Sequence, residues 1–115
     1  MKIGIIGTGY VGLPTGVGLA ELGNTVVCVD KIKEKIDALK AGQLTIYEDG
    51  LDELFAKNTS NGHLSFTTSM KKAVEGADIV LIAVGTPPHP VTHEADLKYI
   101  YAAATELAEY LTDYT

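Results

Sequence analysis

The chain has 115 residues, 46% of them apolar and 21% charged. That suits one globular domain with its own core, and excludes both bulk disorder and a two-domain enzyme within this length. Nine basic residues stand against fifteen acidic ones, a net charge of −6, the wrong sign for a nucleic-acid binder. No apolar run approaches the roughly 20 residues needed to cross a bilayer. The N-terminal run is short and broken by glycines, so it does not read as a signal peptide. The single cysteine, Cys28, has no internal partner, in keeping with a reducing cytoplasm. The expectation is one soluble, acidic, cytoplasmic domain that engages neither nucleic acid nor membrane.

Short β-branched runs alternate with segments of helical period, the pattern of a parallel α/β sheet. A first strand is predicted over Lys2–Ile6, followed at once by "GTGYVG" and a helix from Val11 to Leu22. Pro14 sits in that helix's first turn and Gly23 at its stop. Gly16 and Gly18 inside it are read as close-packing positions against the sheet. A second strand covers Thr25–Val29, and a helix follows from Lys31 to Ala41 with Ile32, Ile36 and Leu39 on one face. Asp52–Lys57 reads as a short helix, Leu64–Thr67 as a weaker strand, and Ser69 as the cap of a helix through Val74. The strongest strand, Ile79–Val84, is continuously apolar, as in strands covered on both faces. A proline-bearing loop then leads to a last helix from Leu97 to about Thr112, with Leu97, Ile100, Ala104, Leu107, Ala108 and Leu111 on its inner face.

A right-handed wind through these elements gives a Rossmann-type open parallel sheet with strand order 3-2-1-4 and helices on both faces. The fifth and sixth strands of the complete fold have no residues left to form them. The fourth strand is therefore expected to present an apolar edge, as in a truncated sheet occupying residues 1–115.

The glycines at positions 7, 9 and 12 match G-x-G-x-x-G in its required place, between a strand and a helix. Gly7 permits the tight turn, Gly9 lets a pyrophosphate approach the backbone, and Gly12 lets the helix pack against the strand. The amides around Tyr10 and Val11 are then aimed at phosphate from the positive end of the helix dipole. Asp30 ends the second strand, close to the roughly 20 residues beyond the last glycine where an acid binds the adenosine ribose. A carboxylate there repels a 2′-phosphate and favours NAD over NADP. Lys31, Lys33 and Lys35 keep NADP open as a minority reading, and Asp30 has an alternative role as a helix cap. "VGTP" ends the fourth strand at the ligand-binding edge, where Gly85 and Thr86 are placed to meet a cofactor; a plain Gly-Pro turn is the alternative. Cys28, within "VVCVD", reads as a buried residue, not a nucleophile. His63, His89 and His93 make no metal signature.

Together, "MKIGIIGTGYVGLPTGVGLAELGNTVVCVD", "KIDALKAG", "IYEDGLDELF", "ADIVLIAVGTPP" and "ADLKYI" resemble the amino-terminal domain of the UDP-glucose/GDP-mannose dehydrogenase family, and its UDP-glucose branch most. The resemblance runs through essentially the whole chain. It implies an NAD-dependent oxidation of UDP-glucose to UDP-glucuronate by two hydride transfers. It places Val11 at the pyrophosphate, Asp30 and Lys35 on the adenosine ribose, and Thr86 further along the cofactor. In the family the nucleophilic cysteine, the catalytic lysine, the sugar-binding residues and most dimer contacts lie beyond this domain. The 115 residues alone are therefore expected to be inactive, although the full-length protein is expected to be a dehydrogenase and is compatible with a homodimer. Two stretches depart from the family pattern: Glu48-Asp49-Gly50-Leu51 lacks the usual proline, which loosens that turn, and "HPVTHEADL" replaces a shorter loop. The alternatives are a stand-alone NAD-sensing regulatory module and an S-adenosylmethionine methyltransferase. The latter is disfavoured by the pyrophosphate-type glycine turn.

Overall fold

A computed structural model describes residues 1–44, 46, 48–84 and 97–111. Its sheet is built from β1 (Lys2–Ile6), β2 (Thr25–Val29), β3 (Leu64–Thr67) and β4 (Ile79–Ile82), all parallel, in the order β3-β2-β1-β4. The helices are α1 (Gly12–Glu21), α2 (Lys33–Lys40), α3 (Leu51–Ser60), α4 (Met70–Val74) and α5 (Lys98–Tyr110). The period-two alternation of the strands sorts the core into two faces. Ile3, Ile5, Val26, Cys28, Leu64 and Phe66 join α1, α2 and α3 in one cluster. On the opposite face Ile6 and Val29 pack with Met70, Ala73 and Val74 of α4 and Ala103 of α5. That second face is close-fitting: a Cβ on Gly4 would lie 2.5 Å from the Ala73 carbonyl oxygen, so only glycine admits α4 against β1.

The first three strands coincide with the sequence expectation. β4 stops at Ile82, two residues early, and its apolar run is not covered on both faces. Ile79 is 40% exposed and Ile82 37%, and among the described residues β1 is its one ladder partner. α3 runs on to Ser60 because its polar residues bond inward: Asn58 Nδ2 donates to the Leu54 carbonyl and Thr59 Oγ1 to that of Phe55. Asn58 also donates to Glu21, whose carboxylate accepts from Lys57 as well, tying α3 to α1. The turn before α3 closes without proline, through the Leu51 N–H to the Glu48 carbonyl at 3.0 Å. α5 presents Ile100, Ala103, Leu107 and Tyr110 inward, whereas Leu97, Ala104, Ala108 and Leu111 are exposed. The inner face is thus rotated from the expected one; the end of this helix expected near Thr112 lies outside the described residues. Gly16 packs as expected, its Cβ position 2.9 Å from Cys28 Sγ, but Gly18 does not: nothing lies within 4 Å.

Candidate functional site

The carboxyl ends of β1, β2 and β4 open onto a cleft of about 940 Å³. The Gly7–Val11 turn forms its floor, Asp30 and Lys35 one side, and Ile82, Ala83 and Val84 the other. Tyr99, Ala103 and Glu106 of α5 complete the wall. Cross-strand bonds fix these ends together: the Gly7 N–H donates to the Val29 carbonyl at 2.8 Å, and the Ala83 N–H to that of Ile6 at 2.8 Å. This is the edge of an open α/β sheet where ligands bind, beside the point where strand order reverses.

Each glycine of the turn answers a different constraint. Gly7 has φ +112°, a left-handed conformation that disfavours any side chain. A Cβ on Gly12 would meet the Gly7 carbonyl oxygen at 2.1 Å, so α1 starts in direct contact with the turn beneath the cleft. At Gly9, which lines the cleft, a Cβ would meet nothing within 4 Å, so the backbone there is open to close approach. Among the described residues the Tyr10 and Val11 amides have no backbone acceptor. They lie at the start of α1, whose first turn carries no acidic residue. An anion there gains both the free amides and the helix dipole.

Asp30 is held by three hydrogen bonds. Oδ2 accepts from Thr8 Oγ1 at 2.7 Å and from the Thr8 N–H at 3.2 Å, while Oδ1 accepts from the Ile32 N–H at 3.0 Å. Lys35 Nζ stands 3.5 Å from Oδ2. Burial opposes the charge, but the Ile32 and Thr8 bonds and the Lys35 ammonium outweigh it and hold the carboxyl below its ordinary range. The Ile32 contact bends the chain before α2, so the helix begins at Lys33, not Lys31. The N-cap residue is Ile32, with no side-chain cap; Asp30 shapes the approach to α2 without capping it. The three lysines are separated. Lys33 pairs with Asp37 at 2.6 Å away from the cleft, Lys31 reaches Glu106 at 3.6 Å, and Lys35 faces Asp30.

Residues 1–115, the whole chain, match the model of the UDP-glucose/GDP-mannose dehydrogenase family, NAD binding domain. The chain belongs to this family. A UDP-glucose 6-dehydrogenase of Rhizobium meliloti is 54% identical over the full chain, which covers 26% of that protein. One from Bacillus subtilis is 50% identical over 98% of the chain and 24% of its own length. Among solved structures, a ternary complex of GDP-mannose dehydrogenase from Pseudomonas aeruginosa superposes with a TM-score of 0.90 at 38% identity, over 96% of this chain and 25% of that one. The chain thus spans about a quarter of the length of the curated relatives it matches.

The cofactor of this domain is NAD, and the residues present fit it. The Gly9 backbone on the cleft lining is open to close approach by a phosphate, and the anionic Asp30 stands on the same cleft. The structure brings Gly7, Gly9, Tyr10, Val11, Asp30 and Lys35 together on its lining, with Gly12 directly beneath. Gly85 and Thr86 lie outside the described residues, as do His89 and His93. Cys28 is in the opposite core, its thiol pushed up to about 12 by burial. Sequence reasoning missed Thr8, a variable position of the fingerprint. The signal that finds it is strand register: Ile6 pairs with Val29, which sets the residues after β1 beside Asp30. It also missed the α5 wall, which follows from side chains packing on the second face. No helix among the described residues is long and apolar enough to cross a membrane.

Proposed function

We propose that the chain is the NAD-binding part of a cytoplasmic UDP-glucose 6-dehydrogenase, which oxidises UDP-glucose to UDP-glucuronate in two hydride transfers. The observation that carries the cofactor half is the charged Asp30 on the same cleft as the open Gly9 backbone and the Tyr10 and Val11 amides. The sugar rests on the 54% identity to the Rhizobium meliloti enzyme. NAD, when bound, supplies the hydride acceptor. The chain's own residues bind and orient it: the Tyr10 and Val11 amides take the pyrophosphate, and Asp30 with Lys35 takes the adenosine ribose. Gly85 and Thr86 follow Val84, which lines the cleft, and contact the cofactor further along. The Asp30 charge opposes a 2′-phosphate and selects NAD over NADP.

The 115 residues by themselves bind cofactor without oxidising the sugar. In support, the ionisable groups among the described cleft residues are Tyr10, Asp30, Lys31, Lys35, Tyr99 and Glu106. Cys28, with its raised pKa on the far side of the sheet, offers no thiolate. Calorimetric titration with NAD, NADP and S-adenosylmethionine tests the reading. NAD is expected to bind best and to be weakened by Asp30→Ala. A preference for S-adenosylmethionine overturns it, and UDP-glucose-dependent NADH formation by the pure chain overturns the claim of inactivity.

A further inference from the structure

We propose that Thr8 is a positioning residue for cofactor recognition, its hydroxyl locking the Asp30 carboxylate in the orientation that receives the adenosine ribose. This rests on the NAD-binding reading above. Thr8 is completely buried although it lies in the turn that floors the cleft. Its Oγ1 and its N–H both donate to Oδ2 of Asp30. An ionised carboxylate oxygen accepts about two hydrogen bonds, so Thr8 occupies Oδ2, with Lys35 Nζ alongside. Oδ1 accepts from Ile32 among the described residues and keeps capacity for a ribose hydroxyl. Two oxygens held from two different loops fix the carboxylate plane. Without the Thr8 hydroxyl, Asp30 retains only the residue-8 and Ile32 backbone donors and the Lys35 charge, and no side-chain hydrogen bond holds it against rotation. A ligand must then order it on binding, which lowers affinity.

The test compares Thr8→Val, which keeps the shape and removes the hydroxyl, with Thr8→Ser, which keeps the hydroxyl. Two readouts are taken on the 115-residue chain. The first is the Asp30 carboxyl titration followed by NMR without ligand. The second is the affinity for ADP against 2′-deoxy-ADP, which differ by one ribose hydroxyl. For Thr8→Val the Asp30 titration is expected to move upward and ADP affinity to fall roughly tenfold, with a smaller fall for 2′-deoxy-ADP. Thr8→Ser is expected to behave as the unsubstituted chain. Equal losses for the two nucleotides, or an unmoved Asp30 titration, overturn the proposal. If Thr8→Val does not fold, Thr8→Ala and Thr8→Ser differ by the same hydroxyl and carry the same comparison. Failure of the unsubstituted chain to bind NAD or ADP overturns the cofactor reading instead, and the titration then still reports whether Thr8 governs Asp30.

Discussion

Gly12 and Gly7 meet at a distance that no side chain can share: a Cβ on Gly12 would lie 2.1 Å from the Gly7 carbonyl oxygen. The contact sets how closely α1 approaches the end of β1, and so where the helix's free amides stand. The two nearest atoms belong to the Gly7 backbone, which cannot move aside as a flexible side chain can. Gly12→Ala is expected to destabilise the fold by about 2 kcal/mol or more and to abolish NAD binding. Denaturant melts and calorimetry on the same preparation check both. Unchanged NAD affinity would remove the close contact as the reason for this glycine.

Gly16 and Gly18 separate two meanings of glycine in one helix. Gly18→Ala adds a methyl group to open space and is expected to stabilise the protein by roughly 0.5–1 kcal/mol, with NAD affinity unaltered. Gly16→Ala pushes into Cys28 Sγ at 2.9 Å and is expected to destabilise. Combining it with Cys28→Ala should recover part of that loss, a non-additivity read from a double-mutant cycle of melts. Strict additivity would mean that the two sites do not touch.

Asp30 gives the stability of the domain an acidic slope. Its folded pKa is lowered relative to an unfolded value near 3.9. The charged form is therefore favoured by folding above that value, and the contribution is lost as pH falls through the lower folded pKa. Asp30→Asn is expected to flatten the decline of stability below about pH 4. Chemical denaturation across the acid range measures it. A slope identical to that of the unsubstituted chain would show that the carboxylate gains nothing from its donors.

Asn58 is buried and donates to both the Leu54 carbonyl and Glu21, whereas Lys57, which also reaches Glu21, is well exposed. Asn58→Ala is expected to destabilise by about 2 kcal/mol, since a buried side chain is removed together with both of its hydrogen bonds. Lys57→Ala should change the melt far less, because solvent screens the pair. Reversal of that order would place the α1–α3 connection in the ion pair instead.

The strands were legible because their apolar runs and turns are local properties: Lys2–Ile6, Thr25–Val29 and Leu64–Thr67 match their observed ends. The strand order and the fingerprint glycines followed from topology and from backbone sterics at Gly7 and Gly12. What failed depended on tertiary partners. The helix predicted over Asp52–Lys57 stops short, whereas Asn58 and Thr59 turn their side chains back onto α3 and lengthen it. Alanine carries too little hydrophobic signal to fix which face of α5 is inward, so Ala104 was mistaken for Ala103. Apolar content alone made both faces of β4 look covered, although the open edge beside it followed from the strand count. Thr8 was invisible for a related reason. Its importance comes from the register between β1 and β2, not from its own position in the glycine pattern.

The partition of the core between two sheet faces has a consequence for synthesis. Among the described residues every buried member of the α1–α3 face lies between Ile3 and Phe66, with Leu81 and Ala83 packed against it, so a chain emerging N-terminus first can assemble most of that face before β4 leaves the ribosome. The opposite face must await Ala103. The glycine turn and Asp30 are thus assembled on the early half, and the wall contributed by α5 is added last.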